Sequence, residues 1–368
     1  THVIPLGISR EAFSGQTAMT RQQLGLADDD FVVLSFGRFN HQFKMDVLPL
    51  LNLAALLEGR SKRPIRLLLA GSADNGVYAA FVQEQATLIG VGAMVRVLPN
   101  IGEAQKAGLF RAADVFLSLS DNIQETFGLT VVEALAAGLP VVASDWNGYK
   151  ALVQHEVTGF LVPTKTLAAH ADWEAQLSLQ PDALTHLYCA QTTAIDLPAA
   201  CAHLLGLAQD RERARRMGQA ASASAAQYDW SAVIRRYVGL WTRLREAQLK
   251  GDATADRGVR RSSALRFLAD FSAYPSSGLS LDDRFVTSAL GQRVIDRRQS
   301  LSLYEHMEPV LDLQIMTQVL HLFLAEKALG DVARDLQREF HQEPSRVCQN
   351  TMWLYKYGFL EWSRPALR

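Results

Sequence analysis

Val115–Ser144 reads VFLSLSDNIQETFGLTVVEALAAGLPVVAS, and its apolar pattern changes period twice. Val115–Leu119 and Val141–Ser144 are short, β-rich and apolar on both faces, as strands are when helices cover both sides of their sheet. Between them Thr130–Ala137 has helical spacing, and the Gly138-Leu139-Pro140 turn ends it. Strand, loop, helix, strand is the repeating unit of a parallel sheet with crossover helices.

The same alternation runs through the flanking sequence. Phe31–Phe36, Arg66–Ala70, Val95–Leu98 and Phe160–Val162 read as further strands. Met45–Glu58, Val77–Ile89, Glu103–Ala113 and Gly148–His155 read as helices between them. Glycines at Gly37 and Gly71 close two of the strands, where the chain must turn tightly. The expectation is an α/β fold: a doubly wound, Rossmann-like parallel sheet of about 160 residues. Beyond Pro163 the pattern becomes mostly helical, with Thr164–Leu187 irregular, Pro198–Leu207 and Asp210–Gln227 helical, and Trp230–Leu249 amphipathic. Lys250–Ser263 (KGDATADRGVRRSS) is polar and without apolar period, which predicts a linker at 250–263 between residues 1–249 and a mainly helical piece at 264–368.

Composition excludes several classes. The 368 residues carry 37 Lys plus Arg against 38 Asp plus Glu, with 48% hydrophobic and 20% charged residues, as ordinary globular chains do. Up to residue 250 there are 22 basic and 23 acidic side chains, and beyond it 15 of each, so near-neutrality is not two opposite halves cancelling. A strongly basic nucleic-acid surface is not indicated. Cys189, Cys201 and Cys348 are too scattered for a disulfide framework or a zinc pattern, which favours a reducing, cytoplasmic setting. No apolar run approaches the ~20 residues of a membrane span, leaving only peripheral membrane contact. The opening Thr1-His-Val-Ile-Pro5 offers no leader to read and has the character of the middle of something larger.

The chemistry concentrates in Asp121–Pro140. A helix starting near Leu129 or Thr130 leaves the N–H groups of Phe127, Gly128, Leu129 and Thr130 facing outward at the positive end of the helix dipole, an arrangement suited to an anion. Gly128, lacking a side chain, lets a phosphate or sugar oxygen approach the backbone. Glu125 in the loop and Glu133 in the first turn place two carboxylates beside these amides. Either acid alone reads as an ordinary helix-start or loop carboxylate. Together with the glycine and the strand exit they mark a ligand site, because ligands of open α/β sheets bind at the carboxyl ends of strands. Gly71–Gly76 (GSADNG) lacks the spacing of a dinucleotide loop and reads as a turn, and Pro99-Asn100-Ile101 follows a strand at the same edge.

Glu125, Phe127, Gly128, Leu129 and Glu133, followed by Ala-Leu-Ala-Ala-Gly-Leu-Pro-Val-Val-Ala-Ser, resemble the E-x7-E signature of retaining, nucleotide-sugar-dependent glycosyltransferases of family four. Val3-Ile-Pro-Leu-Gly-Ile8, Ser35-Phe-Gly-Arg-Phe39, Leu69-Ala-Gly71 and Gly159-Phe-Leu-Val-Pro163 extend the resemblance, in the family's order, over residues 1 to 247. It implies the GT-B arrangement, two Rossmann-like domains facing a cleft, with this chain as the C-terminal, donor-binding half. In that family the position of Glu133 binds the ribose hydroxyls and that of Glu125 holds hydroxyls of the transferred sugar. The amides of Phe127–Thr130 hold sugar and diphosphate, while Arg38 and Lys44 clamp the diphosphate and meet its charge as the nucleotide departs. The chain departs from the family around Lys44, where the loop is longer and Met45 replaces the usual glycine; the loop Asp121-Asn122-Ile123-Gln124 is likewise unusual and is a candidate for setting donor preference.

The resemblance further implies a nucleoside diphosphate sugar as donor substrate, no metal or other cofactor, a glycan or small-molecule acceptor, and an N-terminal acceptor domain absent from this chain, without which the isolated chain is expected to be inactive. Trp230–Leu249 matches the helix that returns to that domain. Competing readings are a GT-B epimerase or phosphorylase, and a non-catalytic scaffold that keeps a nucleotide-sugar pocket. In residues 264–368, Ile315–Lys327, Gly330–Phe340 and Ser345–Tyr357 read as three helices followed by an apolar tail, a shape resembling a winged helix-turn-helix module. Ser345–Tyr357 holds only Arg346 and Lys356 as cations, too few for a DNA-recognition face, so packing against the glycosyltransferase unit, self-association or the holding of a partner is expected. Trp353, Tyr355, Tyr357, Phe359 and Trp362 read as core or interface anchors.

Overall fold

The structure is a computed structural model that describes residues 2–13, 19–73, 76–168, 171–250 and 266–363. Six parallel strands, β1 (Phe31–Phe36), β2 (Ile65–Gly71), β3 (Val95–Pro99), β4 (Val115–Ser118), β5 (Val141–Ser144) and β6 (Gly159–Val162), form one sheet in the order β3-β2-β1-β4-β5-β6. Phe31 pairs with Ile65, Val33 with Val115 and Phe116 with Val141. Crossovers carry α1 (Leu48–Leu57), α2 (Val77–Ile89), α3 (Glu103–Ala112) and α4 (Leu129–Ala136). This is the doubly wound, Rossmann-like α/β sheet expected from the sequence.

Strand alternation explains why these runs are apolar throughout. Phe31, Val33, Leu67, Leu69, Val115 and Leu117 point into the core on one face. Val32, Leu34, Leu68, Ala70, Phe116 and Val141 point into the core on the other. The ends of β1 and β2 approach so closely that a Cβ on Gly71 would lie 1.7 Å from the Gly37 carbonyl oxygen.

Some boundaries differ from expectation for local reasons. α1 begins at Leu48 rather than Met45, because the Asp46 carboxylate accepts the Leu48 N–H at 3.0 Å and Pro49 favours a helix start there. The helix expected over Gly148–His155 is the single turn Tyr149–Leu152; Val153 is extended, and Gln154 donates to the Thr158 hydroxyl at 2.9 Å instead of continuing the helix. Thr164–Leu187 is not irregular. It holds the strand Thr164–Thr166 and the helices Ala171–Ser178 and Asp182–Gln191. The strand pairs antiparallel with Thr193–Ile195 and parallel with Ser277–Gly278, partners distant in sequence that no local pattern announces.

The linker expected at 250–263 falls, apart from Lys250, outside the described residues. After it, Leu313–Leu322, Leu329–Phe340 and Pro344–Lys356 are helices beside a three-stranded antiparallel sheet of Lys327–Ala328, Arg284–Thr287 and Leu360–Ser363. The third helix, which a winged helix would lay in a DNA groove, is the most buried of the three. Its residues Gln349–Lys356 are all covered, and it packs on Thr193–Ile195 and Asp182–Gln191. Trp353, Tyr355, Tyr357 and Phe359 are buried and Trp362 partly so, in a core continuous with that of β1, α1 and the helix Leu197–Gln209. No helix among the described residues is long and apolar enough to cross a membrane.

Candidate functional site

In this strand order the chain direction across the sheet reverses between β1 and β4, so the loops leaving their carboxyl ends diverge and open a crevice. One loop, residues 37–46, carries Arg38 and Lys44. The other, residues 119–128, carries Glu125 and ends at the α4 N-terminus.

The structure brings Lys44 and Glu125 together. The Lys44 ammonium ion-pairs with Glu125 Oε2, and Glu125 is 7% exposed in its side chain. Tyr149, fully buried, donates from its hydroxyl to the same oxygen at 3.3 Å and lies 2.7 Å from the Ser118 hydroxyl. Asn147 Nδ2 donates to the Glu125 carbonyl at 2.9 Å. The carboxylate therefore has a fixed position with one cation and one hydroxyl on it. Burial, with the Glu125 charge adding to it, drives the Tyr149 pKa well above that of an ordinary tyrosine, so the hydroxyl stays protonated.

Gly128 caps α4 with φ 101° and ψ 63°, in the left-handed region. A Cβ there would sit 2.4 Å from Tyr149 Cε1, so both the turn and the packing require glycine. Val131 and Val132 donate back to the Gly128 carbonyl at 3.1 and 3.2 Å. The amides of Leu129 and Thr130 precede the first intrahelical donor, Val131, and have no acceptor within the helix. Val131, Val132, Ala134 and Leu135 anchor the helix in the core, each Val or Leu contributing about 1.5–3 kcal/mol by burial. Leu129 remains 43% exposed, and Phe127 stacks edge-on against Tyr228 at 6.1 Å.

Glu133 is held from the other side by Lys106 of α3, 2.6 Å away, with both side chains mostly covered. Burial raises the Glu133 pKa, and Lys106 partly offsets this. Its second oxygen, Oε2, is buried without a hydrogen-bond partner, an acceptor position that a ligand hydroxyl would fill. Arg38 is exposed at the rim; its carbonyl accepts the Asn40 N–H at 2.9 Å, and its guanidinium makes no ion pair or hydrogen bond among the described residues. Lys44 and Glu125 thus meet directly, Glu133 pairs with Lys106, and Arg38 stands apart. Among the described residues no group of three or more His, Cys, Asp or Glu is arranged to hold a metal ion.

Lys106, Tyr149 and Asn147 were not among the residues expected from the sequence. Lys106 had a weak signal, being a cation in the helix after the Pro99–Ile101 loop at the same sheet edge. Tyr149 and Asn147 had none, since they act only through the close approach of the turn after β5 to Gly128 and Glu125.

A doubly wound sheet with two cation–carboxylate pairs around a helix N-terminus at its switch point defines the class: a Rossmann-like domain. Residues 16–186 match the glycosyl transferases group 1 family. The D-inositol 3-phosphate glycosyltransferase of Segniliparus rotundus is 32% identical over 262 residues, which are 70% of this chain and 49% of that protein. The protein of the same name from Saccharomonospora viridis is 35% identical over 181 residues, 48% of this chain and 41% of its own length. Among solved structures, sucrose-phosphate synthase from Thermosynechococcus elongatus aligns with a TM-score of 0.49 at 26% identity, covering 67% of this chain and 53% of that one. The chain spans about half the length, or less, of these curated relatives.

Proposed function

We propose that this chain supplies the donor-binding half of a retaining glycosyltransferase, which transfers a sugar from a nucleoside diphosphate sugar to an acceptor held by a domain outside these 368 residues. The observation that carries the reading is the pair of ion pairs flanking the α4 N-terminus, Lys44–Glu125 on one side and Lys106–Glu133 on the other. In this reading Glu133 Oε2 accepts a ribose hydroxyl, Glu125 accepts hydroxyls of the transferred sugar, and the Leu129 and Thr130 amides bind the diphosphate. Lys44 and the rim residue Arg38 meet the charge that develops on the diphosphate. The bond between the anomeric carbon and the phosphate oxygen breaks, the acceptor oxygen bonds to the same face of that carbon, and the acceptor proton passes to the departing phosphate.

The helix Trp230–Leu249 supports placing the acceptor domain outside the chain. Trp230, Ile234, Val238, Trp241 and Leu244 lie along one side of it and are 48–59% exposed, a run of apolar surface that suits a second domain. The full-length parent, incubated with nucleotide sugars and acceptors, tests the reading by NMR of the product. Transfer with the donor's anomeric configuration kept supports it. Inversion overturns retention, and nucleotide binding without transfer favours the scaffold.

A further inference from the structure

Asp46 and Asp121 sit at the roots of the two loops that flank the crevice, two residues after Lys44 and four before Glu125. Both are buried, and the same side chain reaches both. Lys356, the last residue of the helix Pro344–Lys356, ion-pairs with Asp121, lies 3.7 Å from Asp46 Oδ2, and donates to the Ala190 carbonyl at 2.7 Å. Tyr357 donates to Asp46 Oδ2, Tyr304 donates to Oδ1 at 2.7 Å, and Gln191 Nε2 donates to Oδ2 at 2.9 Å. Asp46 is therefore pinned from several sides. Asp121 is held through one oxygen by Lys356, and its other oxygen, Oδ1, is buried without a partner. The segment after residue 266 also reaches Glu125 by a second route: the Tyr274 carbonyl accepts the Asn147 N–H at 3.1 Å, and Asn147 holds the Glu125 carbonyl.

We propose that Lys356 is a positioning residue for donor binding: its ammonium ties Asp46 to Asp121 and so sets the spacing between the loop bearing Lys44 and the loop bearing Glu125. The inference rests on the donor-site reading above. Mere attachment of the C-terminal segment does not call for this arrangement. Trp353, Leu354 and Tyr355 already bury apolar surface beside it, and a buried lysine between two acids costs desolvation that an apolar contact avoids. What the charged contact adds is a tie at the roots of two loops whose outer parts are joined by the Lys44–Glu125 ion pair and by Asn122 Nδ2 donating to the Gln42 carbonyl at 2.7 Å.

Binding of UDP, GDP and ADP to the 368-residue chain, measured beside thermal unfolding, tests this with four proteins. These are the wild type, Lys356→Met, the double variant Lys356→Met with Asp121→Asn, and Leu336→Ala as a control buried in the same segment away from the loops. Lys356→Met should weaken nucleotide binding roughly tenfold, while Leu336→Ala lowers the unfolding temperature and leaves affinity at the wild-type value. The double variant removes one of the two charges left without a cation, so its unfolding temperature should recover in part while affinity stays weak; it also serves if Lys356→Met alone does not fold. Wild-type affinity in either Lys356 variant, or an equal loss in Leu336→Ala, overturns the positioning role and leaves the donor site standing. If the wild type binds none of the three nucleotides, the donor-site reading fails, and this role fails with it.

Discussion

Replacing Gly128 by Ala should damage both the fold and the site, by an amount the structure allows to be worked out. With φ at 101°, an alanine is strained by about 1–2 kcal/mol. Its Cβ would lie 2.4 and 2.8 Å from two ring atoms of Tyr149, a side chain with no exposed surface, so the ring must move by close to an ångström in a packed core. Such overpacking costs ~1–3 kcal/mol, for a total of ~2–5 kcal/mol. At roughly 2–4 °C per kcal/mol for a domain of this order, the unfolding temperature should fall by about 10 °C. Displacing the ring also pulls its hydroxyl from Glu125, 3.3 Å away, so nucleotide-sugar affinity should fall as well. A double-mutant cycle separates the two causes: in a Tyr149→Val background the ring is gone, and Gly128→Ala should cost only the backbone strain of about 1–2 kcal/mol. An unfolding temperature for Gly128→Ala within a degree of the wild type, or an equal cost in both backgrounds, would refute the reasoning.

Two further outcomes follow from the charged pairs. Lys106→Met strips Glu133 of its cation in a mostly buried setting, so urea denaturation at pH 7 should show a loss of ~1–3 kcal/mol; unchanged stability would mean the pair is solvent-screened in practice. Burial, reinforced by the neighbouring Asp46 charge and opposed by Lys356, lifts Asp121 to about 6. A carboxyl raised in the folded state binds more protons there than in the unfolded chain between pH 4 and 6, so its contribution to stability is present below about pH 4 and is lost as pH rises through 6. The stability of the wild type minus that of Asp121→Asn should therefore fall from pH 4 to pH 7 by on the order of 1–3 kcal/mol, and a difference that rises over this range contradicts the assignment.

The sheet was legible because both faces of its strands are covered, which makes every strand apolar and leaves period and length as clean signals. α4 and its flanking acids were legible for a related reason, since strand exit, Gly128 and helix start lie within a few consecutive residues. What the local pattern did not carry was anything made across the chain. Lys44 read as a free clamp, whereas the fold sets it on Glu125. Lys356 read as one of two weak cations on a supposed recognition helix, yet it is buried between two acids more than 230 residues away in sequence. The strand Thr164–Thr166 was invisible because three residues carry no period, and its partners lie at Thr193–Ile195 and Ser277–Gly278. Long-range pairing of short elements, and buried polar residues joined across segments, are the features that single-sequence periodicity does not encode.

The central claim is that the crevice between the loops after β1 and β4 binds a nucleoside diphosphate sugar through Glu133. Calorimetric titration of the chain with a panel of nucleoside diphosphates, repeated with Glu133→Ala, tests it most directly. The account predicts saturable binding of at least one nucleotide by the wild type and a loss of about 1.5–3 kcal/mol of binding free energy in the variant, the range for hydrogen bonds to a charged group. Absence of binding by the wild type, or affinity unchanged by Glu133→Ala, would contradict it.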